Sequence, residues 1–402
     1  PAVRKALVWH EGRPVPVPAG FRLLAPGRIG GVLSTPLLST AGRLRLLAER
    51  FVPRRPAAVA DESLESFAVR RLGREAFDRL VQPLAAGIWT ADPARLSMAA
   101  ACPEFFEMER RDGSLWAGER RRTRAAGGSA AAGNAAGGVA VGARYGQFLT
   151  LRDGLDTLPR RLADRLDALG ATRLRARVTA VEPLATGGWR IAVARGPGNG
   201  AGGETLTADT LVLAVPAGAA AGLLRGCDAA LTAELGGVEY AGSIVVSLGF
   251  RRTDVAHPLD AAGLVVPRAS GRRLLAVSFS SRKFPGRAPA DAVLLRSFVG
   301  GALDPAAMDL DDDAVVALVR RELADVVGAA GTPLLVQVDR WRGAMPQYTV
   351  GHVGRVERID ALVRRHAGLA LAGAAYAGVG IPQVIASGQA AAARVRECIA
   401  AR

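Results

Sequence analysis

The spacing of apolar positions changes along the chain, and each change marks a different kind of element. After an opening extended piece, Arg4–Val17, with a turn at Glu11-Gly12 and prolines at 14, 16 and 18, the first 150 residues are mainly helical in pattern. Leu64, Phe67, Ala68 and Leu72 recur at helical spacing behind Asp61 or Ser63 as N-cap, and Gly73 stops the run. Phe77, Leu80, Val81 and Leu84 predict a second helix with one apolar face. The stretch from Ala117 to Gly142 is low-complexity Ala, Gly and Arg and reads as a surface loop.

From Leu149 the pattern shifts. Leu155, Leu158, Leu162, Leu166 and Leu169 predict a helix that ends at Gly170. Leu174–Ala180 and Trp189–Val193 alternate as strands, and Gly196–Gly203 is a turn. The apolar run Asp209–Pro216 has the form of a strand buried on both faces, with an Ala-rich helix after it. Ile244–Phe250, Gly263–Val266, Leu274–Ser280 and Val293–Val299 predict further strands. Asp311–Asp313 then open a helix carrying Val316, Val319 and Leu323, which stops at Gly328. Three aspartates suit the positive end of a helix dipole, whereas a calcium site would need spaced oxygen ligands. Strand Leu334–Trp341, a Pro-containing loop, strand Leu369–Ala372 and helix Ser387–Ala400 complete the chain, with no internal repeat.

Composition narrows the function classes. The chain has 402 residues, half of them apolar and 22% charged, enough for two or three globular domains. The net charge is 52 − 37 = +15, and apart from Lys5 and Lys283 every cation is an arginine. These arginines are spread out, save a knot at Arg120–Arg122 and Arg124, and aromatics are only 5%, so a nucleic-acid surface is not expected. An anionic membrane surface or an acidic ligand suits the charge better. Cys102, Cys227 and Cys398 form no CxxC and are odd in number, which predicts ordinary thiols in a reducing compartment. The four histidines have no metal-ligand spacing, so no metal site is expected. Residues 367–393 carry no charge and are long enough for a membrane span, but five glycines and Pro382 would leave backbone groups unsatisfied in lipid. The segment therefore reads as strand, turn and helix within the protein.

Several catalytic devices are absent: a GxSxG elbow, a GxxxxGK loop, an HExxH pair, and a GxGxxG behind an opening strand. The nearest Gly-rich turn is Gly378-Val379-Gly380-Ile381-Pro382-Gln383, between a predicted strand and a predicted helix. There it offers free backbone N–H groups and a positive dipole end to whatever lies over it. A flavin whose pyrimidine end becomes anionic on reduction would be stabilised at such a place. A tight turn that simply needs small residues is the alternative.

Longer stretches carry a resemblance. Gly373-Ala-Ala-Tyr376-Ala-Gly378-Val-Gly-Ile-Pro-Gln-Val-Ile-Ala-Ser387-Gly388 and Trp341-Arg-Gly-Ala-Met-Pro346-Gln347-Tyr348-Thr-Val-Gly351-His352 resemble the oxygen-dependent protoporphyrinogen oxidase family, within the flavin amine oxidase superfamily. Glu65–Gly73 and Pro83–Asp92 resemble the same family in the same order, and Asp209–Ala217 resembles a strand shared with amine-oxidase-like flavoproteins. The resemblance implies a mixed α/β fold: an incomplete Rossmann-like FAD-binding domain, an antiparallel-sheet substrate domain and a helical membrane-associated domain. The implied division is 1–146 helical, 147–235 FAD-binding, 236–338 substrate-binding and 339–402 FAD-binding again.

The implied reaction is FAD-dependent oxidation of a porphyrinogen, protoporphyrinogen IX or coproporphyrinogen III, to the porphyrin in haem biosynthesis. Dioxygen reoxidises the flavin and leaves as hydrogen peroxide. By position, Val178 matches a residue whose backbone meets the adenine, Trp341 one near the isoalloxazine, and Val379, Gly380 and Ile381 the turn over the flavin. Gly87, Val265 and Phe298 match positions lining the tetrapyrrole pocket, and Arg4 a basic residue that pairs with a propionate. No acid–base residue is singled out and no metal is implied. A porphyrinogen is a large apolar ring with carboxylate arms, so apolar walls and a guanidinium fit it. Expected partners are the porphyrinogen, O2, a membrane surface and a second copy of the chain, in a cytoplasmic protein peripheral on the inner membrane.

The family opens with a Gly-rich β–α–β unit that holds the FAD pyrophosphate, and this chain is expected to begin after it. Two other readings therefore stay open: a related flavoenzyme (amine oxidase or carotenoid desaturase), and a cofactor-free remnant that binds a membrane or a partner. An amine oxidase would want an aromatic cage, for which Tyr376 is one candidate.

Overall fold

The structure is a computed structural model that describes residues 5–56, 58–127, 150–194 and 203–401. Arg4 lies outside the described residues, as do most of the Gly196–Gly203 turn and residues 128–142 of the Ala/Gly/Arg stretch. Strands in chain order are β1 (Ala6–His10), β2 (Arg13–Pro16), β3 (Arg177–Pro183), β4 (Trp189–Ala194), β5 (Gly203–Ala208), β6 (Leu211–Leu213), β7 (Tyr240–Arg251), β8 (Gly263–Val265), β9 (Leu274–Phe279), β10 (Ala292–Gly300), β11 (Leu335–Pro346) and β12 (Leu369–Leu371). The chain divides into two compact units, Pro1–Phe148 with Tyr240–Gly351, and Leu149–Glu239 with His352–Arg402.

The first unit is built on a seven-stranded sheet of order β11-β7-β10-β9-β8-β1-β2. Its neighbours are antiparallel except β1 and β8, which run parallel. Strand alternation sends Ile244, Val246, Leu248, Leu264, Val277, Leu295 and Val299 to one face, where they are buried under the helix Asp312–Val327. That helix offers Val315, Val319, Leu323 and Val326 to the layer. Each fully buried aliphatic side chain contributes roughly 2 kcal/mol, and a one-residue slip of any strand would expose the whole set, so the apolar layer holds the register. The helix starts as expected, with Asp311 accepting from Ala314 N at 2.7 Å. It ends at Gly328, whose φ of +61° admits no ordinary side chain and where a Cβ would come within 2.7 Å of Ala256 Cβ.

Helices fill the rest of this unit. Leu64–Leu72 forms where expected, with Ser63 as N-cap and Gly73 at φ +92° behind it. Phe77, Leu80, Val81 and Leu84 are all buried, but the helix bearing them is interrupted by a π-helical turn at Phe77–Val81 before Gln82–Trp89 resumes α geometry. The expected surface loop is corrected over its first part: Leu115–Gly127 is a helix. Ala and Arg are strong helix formers, and the segment is anchored by Glu119, which is buried and accepts from Arg22 Nη2 at 2.9 Å and from Arg122. Beneath it Arg71 is fully buried in an ion pair with Glu49. Arg71 also donates to the carbonyls of Val52 (2.9 Å) and Gly113 (3.0 Å), while Glu49 accepts from Ser114 Oγ (2.8 Å) and Leu115 N (2.9 Å). This network joins segments that share no strand.

The second unit holds a three-stranded antiparallel sheet, β3-β4-β5, and a parallel pair, β6 with β12. Trp189 of β4 is almost wholly buried and donates its indole N–H to Ala367 O at 3.2 Å. The expectation that Asp209–Pro216 is buried on both faces is corrected. Leu213 is buried, but Val212 is 41% exposed, because among the described residues only β12 pairs with β6. The helix Thr157–Ala168 likewise leaves Leu158, Leu162 and Leu166 exposed. The last helix begins at Ile381, six residues before the expected Ser387, because Pro382 falls within its first turn, where its missing N–H costs nothing.

Candidate active site

In the first unit the face of the sheet opposite the helix Asp312–Val327 gathers the residues expected around a macrocycle. Phe298 of β10 pairs with Ala276 of β9, and Ala276 with Val265 of β8. Cross-strand partners share a face, so Val265, Ala276 and Phe298 form one row, about 10 Å from end to end at the usual strand spacing. Val245 of β7 extends the row on the far side of Phe298. Val265 and Phe298 are half-buried, whereas Ala276 and Val245 are buried. The helix Gln82–Trp89 lies against the β8 and β9 end, and a Cβ at Gly87 would stand 3.6 Å from Val265 Cγ1. Gly87, Val265 and Phe298, far apart in the chain, therefore share one apolar ledge.

Trp341 of β11 pairs with Ser243, two residues from the Asp339–Val245 pair, so it lies on the same face one row along. It is 56% exposed. In the opposite direction the next row holds Ser278, Arg296, Ser247 and Gln337. Period-2 alternation through Val293–Val299 carried the signal for Arg296, since it sits two residues from Phe298, but this residue and its lateral neighbours were not among the expected site residues.

In the second unit Val379 and Gly380 close the turn after β12, and Ile381 opens the final helix. Gly373 and Gly378 hold φ angles of +131° and +130°, which glycine alone adopts readily, and a Cβ at Gly373 would meet open space. At Gly380 it would strike the Gln383 side chain at 2.4 Å. Gly373 N donates to Ser387 Oγ at 3.1 Å, which ties the start of the turn to the helix. Gly380 is the N-cap of that helix and has no side chain to cap it, and Ile381 is 50% exposed. Val178 lies on β3, an edge strand with a register irregularity between Val178 and Ala180, so among the described residues part of its backbone edge makes no bond within the sheet. These features suit a flavin nucleotide: the N-terminal end of a helix, glycines that permit close approach, and a strand at the edge of its sheet among the described residues. Trp341 belongs to the first unit and the other four cofactor positions to the second.

Comparison with known proteins decides the family. The family described as flavin containing amine oxidoreductase matches residues 1–396. The chain belongs to it. Members of the flavin containing amine oxidoreductases are flavoproteins, and FAD is the cofactor here. The chain is 32% identical to coproporphyrinogen III oxidase of Bacillus subtilis (strain 168), covering 94% of this chain and 76% of that protein. It is 32% identical to coproporphyrinogen III oxidase of Propionibacterium freudenreichii subsp. freudenreichii (95% and 73%). It is 26% identical to the chloroplastic protoporphyrinogen oxidase of Oryza sativa subsp. japonica (99% and 73%). Among solved structures, that of a "putative protoporphyrinogen oxidase" from Exiguobacterium sp. 255-15 superposes with a TM-score of 0.80 at 25% identity, covering 98% of this chain and 81% of that one. Cyclohexylamine oxidase from Brevibacterium oxydans IH-35A, at 16% identity, covers 98% of this chain and 81% of that one and shares the fold with a TM-score of 0.59.

Proposed function

We infer that this flavin containing amine oxidoreductase oxidises a porphyrinogen to the porphyrin, with FAD as cofactor and O2 as electron acceptor, in haem biosynthesis. The observation that carries the reading is the ledge of Val265, Ala276 and Phe298 beside Gly87, a flat apolar surface about as wide as a tetrapyrrole and flanked by a helix that lacks a side chain at the point of approach. Bound flavin supplies a two-electron, hydride-accepting ring. The protein's own part is to place the substrate and exclude water. Phe298 and Val265 support the ring, Gly87 leaves it room, and Trp341 continues the same face one row along. Val379, Gly380 and Ile381 turn the start of the final helix toward the cofactor, where backbone N–H groups favour negative charge. Val178 offers its strand edge to the adenine.

The relatives favour coproporphyrinogen III as the substrate, since the two at 32% identity carry that name and those named for protoporphyrinogen stand at 26–27%. Peripheral attachment to the cytoplasmic face of the inner membrane is supported by exposed Ile29 and Leu33, one helical turn apart, and by exposed Leu44 and Phe51 among arginines. Arg50 stacks on Phe51 at 4.6 Å, a pairing suited to an anionic lipid surface. No helix among the described residues is long and apolar enough to cross a membrane. Pairing with a second copy is supported by edge strand β11, which exposes Leu335 and Val336.

The test is direct. Purified, flavin-loaded protein in aerated buffer is expected to convert colourless coproporphyrinogen III into fluorescent porphyrin while consuming O2 and releasing hydrogen peroxide. Flavin-loaded protein that leaves both porphyrinogens unoxidised beyond the spontaneous rate would overturn the reading.

A further inference from the structure

The arginines knotted together on the helix Leu115–Gly127 are not equivalent. Arg121 donates to Asp112 at 3.1 Å, and Arg122 is paired with Glu119. Arg120 and Arg124 are exposed and have no acidic partner among the described residues. They stand four residues apart and so share one side of the helix, where two like charges cost it stability. Trp116, four residues before Arg120, continues that side. These three residues and Thr123 line a cleft of about 280 Å³ together with Pro26 and Gly27. Glu119 also reaches the cleft, but its carboxylate is held by Arg22 and Arg122, so the charge left facing the cleft is positive.

The walls of the cleft are fixed. A Cβ at Gly27 would stand 1.9 Å from Gly20 O, so the loop carries no side chain at that point. Arg28 follows it, exposed and likewise unpaired among the described residues. The Trp116 indole N–H donates to Leu46 O at 3.3 Å, which ties its ring to the helix Thr40–Leu47. The helix Ile29–Ser34 packs against Thr40–Leu47, and the turn Ala48–Phe51 packs against Leu115–Gly127. These neighbouring segments carry the exposed Ile29, Leu33, Leu44 and Phe51. Unpaired guanidinium groups at a cleft, with large apolar side chains exposed on the segments around it, complement an amphiphile whose polar end is an anion.

We propose that this cleft binds the phosphate of an anionic phospholipid headgroup, with Arg120 and Arg124 as its ligands and Arg28 beside them, while Ile29 and Leu33 enter the acyl boundary. The proposal rests on the membrane-attachment reading above and adds to it a defined headgroup site. Arginine suits the task because its planar fork meets a phosphate through two parallel hydrogen bonds. The bound phosphate also relieves the repulsion between Arg120 and Arg124 on their shared side of the helix.

The test measures co-sedimentation of flavin-loaded protein with vesicles of equal parts phosphatidylglycerol and phosphatidylcholine, and with vesicles of phosphatidylcholine alone. Wild type is expected to bind the mixed vesicles more tightly. Arg120→Gln with Arg124→Gln is expected to lower that binding about twentyfold, since each basic group at an anionic surface contributes roughly fivefold. Arg251→Gln with Arg268→Gln removes two other exposed, unpaired arginines, at the end of β7 and beyond the end of β8, and is expected to change binding by less than about threefold through net charge alone. Ile29→Ser with Leu33→Ser is expected to weaken binding to both kinds of vesicle. Flavin content and thermal unfolding are expected to stay as in wild type for the arginine variants, which separates a lipid contact from a folding defect. Equal losses from the two arginine pairs overturn the cleft and leave the attachment reading standing. A wild type that binds neither kind of vesicle overturns both. Displacement from the vesicles by glycerol 3-phosphate at the lipid's own concentration assigns the cleft to a soluble phosphate ester and overturns the lipid.

Discussion

The hydrogen that Gly87 carries in place of a side chain points at Val265: a Cβ built there would stand 3.6 Å from Val265 Cγ1, at ordinary contact distance. The helix Gln82–Trp89 and strand β8 are therefore as close as they can be while leaving a notch one methyl deep. Gly87→Ala is expected to fold and to gain about 0.5–1 kcal/mol, since alanine is the better helix residue. It is also expected to raise KM for a porphyrinogen several-fold, by roughly 1 kcal/mol of lost fit, because the methyl fills the notch. Thermal unfolding and steady-state kinetics on one sample read the opposite signs, and an unchanged KM would remove Gly87 from the site.

Phe298 is half-buried at the centre of the same ledge. Phe298→Ala is expected to cost about 2 kcal/mol of stability, roughly half the loss for a fully buried phenylalanine. A larger effect is expected on substrate KM than on flavin content, since the four cofactor positions of the second unit are untouched. Urea titration, flavin absorbance and kinetics separate the three.

Arg71 and Glu49 are both fully buried and hydrogen-bonded on several sides. Glu49→Ala leaves a guanidinium without its counter-charge and is expected to cost about 3–5 kcal/mol. Replacing both residues with apolar side chains of similar size is expected to cost much less than the single change. Chemical denaturation of the single and double variants gives the comparison, and a double variant as unstable as Glu49→Ala would contradict this account.

Asp228 caps the helix Ala229–Gly236 by accepting from Leu231 N at 2.9 Å, and its other oxygen lies 3.0 Å from His366 Nε2. The backbone bond first, and His366 second, hold its carboxyl below the usual carboxylate range. A carboxyl with a depressed folded-state pKa adds stability above its unfolded value, near 4, and loses it as pH falls through the folded value. Wild type is therefore expected to lose stability more steeply below about pH 4 than Asp228→Asn, which keeps a capping oxygen without the charge. Parallel slopes in acid unfolding would exclude Asp228 as a contributor.

Local signals served the elements whose causes are local. Ser63, the spacing of Leu64, Phe67, Ala68 and Leu72, and Gly73 mark a nine-residue helix from its own residues and its two caps, and that helix is present. The run at Asp209–Pro216 has the pattern of a doubly buried strand because apolar side chains state a strand's preference but not how many strands flank it; β6 has one partner among the described residues. Leu115–Gly127 was hidden by its low complexity, although Ala and Arg favour helix and its anchor, Arg22, lies 97 residues before Glu119. The site shows the same division. Gly87, Val265 and Phe298 carry nothing local that sets them side by side; their meeting depends on the β8–β9–β10 register, which only pairing defines. Arg296 could have been placed from alternation alone once Phe298 was given a face.

Strand β1 closes its sheet against β8, with Leu7 opposite Leu264, so this strand must wait for a segment made long afterwards. The whole of Leu149–Glu239 is synthesised in the interval and belongs to the other unit. Until β8 emerges, the β1–β2 hairpin presents a bare apolar border during synthesis, and contacts so distant in sequence form slowly. A ribosome-bound or truncated product ending before Gly263 should consequently depend on chaperones, while a chain released past Val265 can seal that border by itself.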